Sequence, residues 1–466
     1  MNPFLNPVTG VPFIISYLTD PGRLKRSSKE QLRSYRDTAF RRIVRYAFSV
    51  PVYHHLYKKA GVYPHDIKHI EDAQKLPFIS KKNIIDNYPD GVVPQGYNKK
   101  RASVISTSGS TGKPVSIYVD FPTLSKAMCL FFRQGYTYDF NWRNSKFVSI
   151  GNFSQGKADQ VFEKDLMSQT HLFRRPNSYL SMNAFAPMKE IINKLDEFRP
   201  DIMLSYPITF QQLAYLKKKG YGSHIKPKLI TVGGYVLDEY TRSYVEDAFG
   251  CPMVNIYSSA ESCSDVAFEC LEKTWHVNYD YFHVEAVDDS MGVVADGESG
   301  HIILTRMFGR GTPIVRYMGM DDWVTLESDC ECSCGLRTPI MKSGVEGRRS
   351  TSVVLPDGRM FPSASFAIVS LILKDLNTFK VKQFQIIQHR LDVIEILLAI
   401  DDDLRDVGPS VDFIFSKIQK AYQDLVGPKV TITVKEVDEI KSPRGKPLPL
   451  VISKVKIEDA LKLIEQ

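Results

Sequence analysis

Ser106-Thr107-Ser108-Gly109-Ser110-Thr111-Gly112-Lys113-Pro114 places hydroxyls, two glycines and one lysine in a single short run. Val104-Ile105 precede it, and Val115-Ser116-Ile117-Tyr118-Val119 follows with period-two alternation. The pattern predicts strand, loop, strand. A glycine-rich loop can turn backbone N–H groups inward and form a nest for an anion. The hydroxyls add donors and Lys113 adds a mobile positive charge, which together make a phosphate cradle. It is not a Walker A loop: Gly109 and Gly112 are too close, and Pro114 stands where Ser or Thr belongs.

The chain has 466 residues, 43% of them hydrophobic, enough for a large core and two or more domains. No charged segment precedes an apolar run at Met1-Asn2-Pro3, and Phe13-Ile14-Ile15 is too short for a signal or membrane helix. The expectation is a cytoplasmic protein with no membrane insertion. Seven cysteines are few for this length, and three crowd into Cys330-Glu331-Cys332-Ser333-Cys334, which argues for metal over a disulfide framework. The net charge is +7. Its densest basic stretch, Arg33, Arg36, Arg41, Arg42 and Arg45, reads as a solvated face of a helix over residues 28–48. Leu32, Tyr35, Ala39, Ile43 and Tyr46-Ala47 form the opposite face. No nucleic-acid-binding motif accompanies it, so no nucleic-acid partner is expected.

Further along, helices are expected over 124–140, 188–198 and 209–219, with strands at 146–150, 200–207 and 229–234. Alternating strands and helices argue for α/β layers. After Gly347-Arg348 the texture changes to strands at 384–388, 393–398 and 430–434 around a helix over 411–425. That is a small α+β domain. The fold class is therefore α/β, with a large N-terminal α/β domain of layered sheets and helices (1–347) and a small C-terminal domain (348–466).

The run Thr107–Pro114 resembles the signature of the adenylate-forming superfamily of acyl-CoA synthetases, peptide-synthetase adenylation domains and luciferases. The stretches Pro51-Val52-Tyr53 to Tyr57 and Leu76-Pro77 to Lys82 are similar to the phenylacetate–CoA ligase and CapK-like branch. The resemblance runs from about Val52 to Lys454. It implies that Thr107, Ser108, Gly109, Ser110, Thr111, Gly112 and Lys113 hold the β- and γ-phosphates of ATP. Tyr257-Ser258-Ser259-Ala260-Glu261 resembles the family's Y-G-x-x-E motif, with Tyr257 against adenine and Glu261 ligating Mg²⁺, which prefers oxygen donors. Arg316-Tyr317-Met318-Gly319-Met320-Asp321 stands where the family has R-Y-x-T-G-D, so Asp321 would accept from the ribose hydroxyls. Thr and Gly of that motif have become Gly319 and Met320. Arg348 stands at the hinge Arg, but Arg349-Ser350-Thr351 lacks the hinge aspartate. Lys446, in Ser442-Pro443-Arg444-Gly445-Lys446-Pro447, would deliver its ammonium between carboxylate and α-phosphate, so the C-terminal domain is expected to be mobile. Gly234 lies where the segment Val232-Gly233-Gly234-Tyr235 borders the nucleotide and acyl pocket, and Tyr235 replaces the usual Glu.

Cys270, His276, Cys332 and Cys334 form a second constellation. Thiolates plus imidazole suit four-coordinate structural Zn²⁺, with Cys330 as an alternative ligand. Members of this branch carry a similar Cys, His and C-x-C-G set. The remaining cysteines, Cys129, Cys251 and Cys263, read as small apolar residues.

The resemblance implies an enzyme that activates a carboxylic acid with ATP and Mg²⁺, releases pyrophosphate, and passes the acyl group to CoA. Two alternatives stand beside it: transfer to an amine or hydroxyl, as in polysaccharide or secondary-metabolite assembly, and a nucleotide-binding homologue with impaired catalysis. A homodimer is compatible with either.

Overall fold

A computed structural model describes residues 2–107, 113–328, 330–348, 352–441 and 449–455. The chain forms two compact units. The first comprises Met1–Asn183, Val254–Met320 and Val324–Gly344, and the second Ala184–Met253, Asp321–Trp323 and Val345–Gln466. The mixed α/β class expected from the sequence is what is found. No helix among the described residues is long and apolar enough to cross a membrane.

In the first unit the Lys29–Phe48 helix begins at a capping box. Ser28 Oγ accepts from the Gln31 backbone N–H, and Gln31 Oε1 accepts from that of Ser28. Leu32, Ala39, Ile43 and Ala47 are buried as the spacing predicts. Arg36 departs from the expected solvated face. It is buried, its guanidinium lies 3.2 Å from the centroid of the Tyr279 ring, and its Nε donates to Tyr279 O at 2.8 Å. The residue that covers it comes from 243 positions away, so helix periodicity could not report it.

The strands flanking the glycine-rich run are as expected: Ala102–Ser106 pairs antiparallel with Ser116–Asp120. The following helix runs Phe121–Thr137 rather than 124–140. It starts early because Asp120 accepts from the Thr123 N–H at 3.0 Å and caps it, with Pro122 in its first turn. It stops early because Asp139 takes a left-handed conformation, φ 54°. Phe147–Gly151 and Tyr179–Asn183 are parallel neighbours. A run of short antiparallel strands then includes Asp265–Glu269, Trp275–Val277, Phe282–Val287 and Ser299–Arg306.

In the second unit the Met188–Phe198 helix has its expected bounds, and Ile191, Ile192 and Leu195 are buried. Ile202–Ser205 and Leu229–Gly233 pair in parallel around the Pro207–Lys218 helix. The C-terminal sheet has the order Thr431–Glu436, Val393–Ile400, Val381–Arg390, Val451–Ser453, with an antiparallel central pair and parallel outer pairs. The Val451–Ser453 strand is an addition to the sequence reading. The Val411–Val426 helix buries Ile414, Ile418, Tyr422 and Val426 against that sheet, each contributing roughly 1.5–3 kcal/mol relative to exposure. Tyr240, from the Glu239–Phe249 helix, joins the same core and donates its hydroxyl to Val381 O.

Candidate active site and candidate metal centre

The neck of the glycine-rich loop is tied on both sides. Thr107 N–H donates to Val115 O at 2.9 Å, and Val115 N–H to Thr107 Oγ1 at 3.0 Å. Ser106 and Ser116 share a hydroxyl–hydroxyl bond of 2.8 Å. Lys113 is exposed, as a mobile cation must be, while Ser108, Gly109, Ser110, Thr111 and Gly112 lie outside the described residues. A second cation was not anticipated: Lys157 Nζ donates to Thr107 O at 3.4 Å, and Ser106 N–H donates to Gly156 O at 2.9 Å. The sequence signal for it, Gln155-Gly156-Lys157 after a strand, is too short to stand out.

Glu261 is buried at the turn after the Met253–Ser258 strand, with Tyr257 buried and Ser258 half-buried at that strand's end. The turn is held by Ser259 and Ser262, each hydroxyl accepting from the other's backbone N–H at 3.0 and 2.9 Å. The Tyr317 hydroxyl donates to Glu261 Oε1 at 2.9 Å. Burial, and then the neighbouring carboxylate, push the Tyr317 phenol far up, so it remains the donor. Arg306 clamps the same turn from below: Nη1 donates to Glu261 O at 3.0 Å and to Cys263 Sγ at 2.7 Å, and Nη2 to Thr312 O at 2.8 Å. Cys263, read as merely apolar, is buried and part of this clamp.

The Gly319 departure from the family motif has a structural cause. A Cβ at this position would lie 2.2 Å from the Tyr317 hydroxyl oxygen. Glycine is what lets the tyrosine reach Glu261. Arg316 is structural: it pairs with Glu285 at 2.9 Å, donates to Leu76 O at 2.6 Å and stacks over Phe78 at 4.0 Å. Leu76-Pro77-Phe78 is thereby fastened to the Tyr317 segment. Tyr317→Phe is expected to destabilise the fold by about 1–3 kcal/mol, because the buried Glu261 carboxylate loses this donor. It should lower acid-dependent pyrophosphate release by about tenfold, the scale of one hydrogen bond to a charged group, and raise the Mg²⁺ concentration for half-maximal rate. A magnesium titration of both proteins checks this; an unshifted Mg²⁺ requirement would contradict it.

In the second unit, Gly234 has φ 78°, and a Cβ there would touch the Tyr206 ring at 3.4 Å. Tyr235 meets the same ring edge-on, centroids 5.8 Å apart. Arg348 is exposed and its Nε lies 3.8 Å from Asp322 Oδ1. The carboxylate beside Arg348 is thus that of Asp322, while Asp321 is half-buried with φ 61°. Lys446 and Arg349-Ser350-Thr351 lie outside the described residues.

Cys270, His276, Cys332 and Cys334 come together, their ligand atoms all within 4.8 Å of one another. Cys270 Sγ and Cys332 Sγ are 3.7 Å apart, and Cys334 Sγ is 3.2 Å from His276 Nε2. A tetrahedron with zinc–sulfur bonds of about 2.3 Å has edges of about 3.8 Å, so the set fits the ion. His276 Nδ1 lies 3.0 Å from Thr338 Oγ1, which fixes the ring and leaves Nε2 facing the thiols. Cys330 does not belong to the group; it donates to Glu327 Oε2 at 3.3 Å.

No family model matches the chain. Among curated proteins it is 24% identical to a phenylacetate–coenzyme A ligase of Pseudomonas putida over 92% of this chain and 95% of that one. It is 24% identical to the one from Thermus thermophilus over 83% and 86%. Protein CapK of Staphylococcus aureus is 24% identical over 56% of this chain and 55% of its own length. Among solved structures, 2-hydroxyisobutyryl-CoA ligase in complex with R3-HIB-AMP superposes with a TM-score of 0.78 at 16% identity, over 96% of this chain and 94% of that one. The chain is thus similar to phenylacetate–coenzyme A ligases along most of its length and to CapK over about half of it, and it shares the fold of an adenylate-forming CoA ligase.

Proposed function

We propose that this protein is an ATP-dependent acid–thiol ligase that forms an acyl-adenylate and transfers the acyl group to CoA. The observation that carries the reading is the buried Glu261 carboxylate, held by Tyr317 on the turn that follows the glycine-rich loop in family order. The substrate carboxylate oxygen attacks the α-phosphorus, the bond from that phosphorus to the bridging oxygen breaks, and pyrophosphate leaves. The CoA sulfur then attacks the acyl carbon, the thiol proton is lost, and AMP leaves. Thr107 to Lys113 cradle the β- and γ-phosphates, with Lys157 adding charge at the loop neck. Glu261 supplies an oxygen donor for Mg²⁺, which neutralises phosphate charge when bound. Tyr257 and Ser258 border the adenine, Asp321 holds the ribose, and Arg348 reaches the nucleotide beside Gly234. Lys446 brings its ammonium to the reacting pair, and segment 348–466 moves between the half-reactions while 1–347 holds the adenylate.

Four of the curated relatives are phenylacetate–coenzyme A ligases, which supports an aryl or short acyl acid as substrate and CoA as acceptor. We place the protein in the cytoplasm, where the thiols of a cysteine–histidine metal set stay reduced. The test is a panel of aryl and aliphatic acids with ATP and Mg²⁺, with and without CoA, read by AMP, pyrophosphate and acyl-CoA mass. Acyl-CoA formation with one acid class supports the reading. Pyrophosphate release without any thioester, and amide or ester products when amines or hydroxyls are added, would replace CoA with another acceptor.

The cysteine–histidine set is proposed to hold one structural Zn²⁺ that takes no part in either step. Cys332→Ser is expected to abolish zinc in elemental analysis and lower the apparent Tm, because structural metal binding contributes to folding free energy. Metal-free wild-type protein with the same Tm as a zinc-reconstituted sample would contradict it.

A further inference from the structure

The Pro7–Thr19 helix, Pro-Val-Thr-Gly-Val-Pro-Phe-Ile-Ile-Ser-Tyr-Leu-Thr, contains no charged residue. Its inner face is used. Phe13 packs 4.7 Å from Phe4 and Tyr17 5.0 Å from Phe132, ring centroid to centroid, Gly10 abuts the Phe4 carbonyl, and Ser16 accepts from Lys126 Nζ at 3.0 Å. Its outer face is apolar as well: Val8, Val11, Ile14, Ile15 and Leu18 are between 52% and 80% exposed, and Leu5 just before the helix is 59% exposed. At 3.6 residues per turn these five helix positions cover one arc of about 120°. A stripe of that width normally faces a core, and exposed apolar stripes with a polar border mark interaction sites.

The border is basic and aromatic. Lys25 and Arg26 are exposed just beyond the helix C-terminus, and Arg26 Nη2 donates to the carbonyls of Leu18 and Thr19 at 3.3 Å. Lys25 Nζ lies 5.7 Å from the centroid of the exposed Tyr136 ring. The guanidinium of exposed Arg143 lies 5.7 Å from the Tyr17 ring centroid, and the backbone N–H of exposed Arg175 donates to Arg143 O at 3.4 Å. Exposed Phe173 sits 5.5 Å from Phe4.

We propose that this helix lies in the surface of an anionic membrane, its Val8–Leu18 stripe among the acyl chains and its basic border at the lipid headgroups. Charge complementarity selects this occupant. Residues 1–19 contain no acid, so a second copy docked across the stripe would offer the border no counter-charge from that segment, whereas anionic headgroups offer it throughout. Basic amphipathic surfaces bind membranes by buried apolar area plus attraction to anionic lipid. The helix lies on the bilayer and does not cross it, and the inference is independent of the catalytic reading.

The experiment is co-sedimentation of the full chain with phosphatidylcholine vesicles, with and without phosphatidylglycerol, at low and high salt. Sedimentation velocity in parallel reports the oligomeric state. The wild type is expected to bind the phosphatidylglycerol vesicles and to be released by salt. Lys25→Gln should weaken partitioning about fivefold, and Val8→Asp with Ile15→Asp by at least about tenfold, both with unchanged apparent Tm since all three side chains are exposed. Wild-type protein that stays in the supernatant, or binding that survives Val8→Asp with Ile15→Asp, overturns the proposal. So does a soluble dimer that this double substitution dissociates in the absence of vesicle binding; the stripe would then be a contact between copies.

Discussion

Lys446→Ala is expected to slow acyl-adenylate formation on the order of a hundred- to a thousand-fold, the usual loss when one preorganised charge facing a transition state is removed. Adenylation brings a carboxylate against the α-phosphate, two anions whose repulsion peaks as the new bond forms. An ammonium between them lowers that barrier and does little for nucleotide affinity, which the loop and Tyr257 are proposed to supply. ATP binding should therefore persist. The second half-reaction, started from a pre-made acyl-adenylate and CoA, should proceed at near wild-type rate, because the lysine is carried by the segment proposed to move away. Lys113→Ala should differ by raising KM for ATP as well as lowering kcat, and the pair must be compared at saturating ATP. Equal loss in both half-reactions would contradict domain alternation, and no loss in either would place the catalytic cation elsewhere.

Asp280→Ala is expected to be the most destabilising of the single substitutions considered, by about 3–5 kcal/mol, the cost of leaving a buried charge without its partner. Arg133 and Asp280 are both buried, and they meet through two parallel bonds, Nη1 to Oδ1 at 2.8 Å and Nη2 to Oδ2 at 2.7 Å. Arg23 adds a third bond to Asp280 at 2.9 Å. Asp20 collects Lys126, Arg23 and the Tyr281 hydroxyl, and its backbone oxygen accepts from Arg133 Nη2 at 2.8 Å. These groups come from segments separated by up to 261 residues, so the network ties the Pro7–Thr19 helix to the strands after residue 275. Loss of Asp280 leaves the buried Arg133 guanidinium without a carboxylate, while Arg23 keeps Asp20. Removing both partners, Arg133→Met with Asp280→Leu, should recover much of that loss. Apparent Tm and urea midpoints of the two singles and the double decide the matter. A single-mutant cost under about 1 kcal/mol, the range of exposed pairs, would show that water reaches the network.

The parts legible in the sequence are those whose signal is local. The hairpin around Thr107–Lys113 was readable from alternation on both sides of a glycine-rich run. The Met188–Phe198 helix showed its buried face in Ile191, Ile192 and Leu195, and the cysteine–histidine cluster was legible in Cys332-Ser333-Cys334 with Cys270 and His276. What stayed hidden depends on partners distant in the chain. Arg36 looks solvated until Tyr279 covers it. Gly319 looks like decay of a motif until the Tyr317 hydroxyl is seen to need that space. Lys157 has no local pattern, and it matters only because Gly156 pairs with Ser106 at the loop neck. The three-residue Trp275–Val277 strand carries too few residues for periodicity to separate it from a turn.

The most direct test of the central claim is ATP–pyrophosphate exchange across a carboxylic-acid panel with Mg²⁺ and without CoA. Exchange reads adenylation alone, before any acceptor is chosen. The account predicts acid-dependent exchange for one structural class of acid, lost on Glu261→Ala. Background exchange with every acid, in protein that binds ATP and keeps its Tm, would mean that the loop and the Glu261 turn hold a nucleotide without activating a carboxylate.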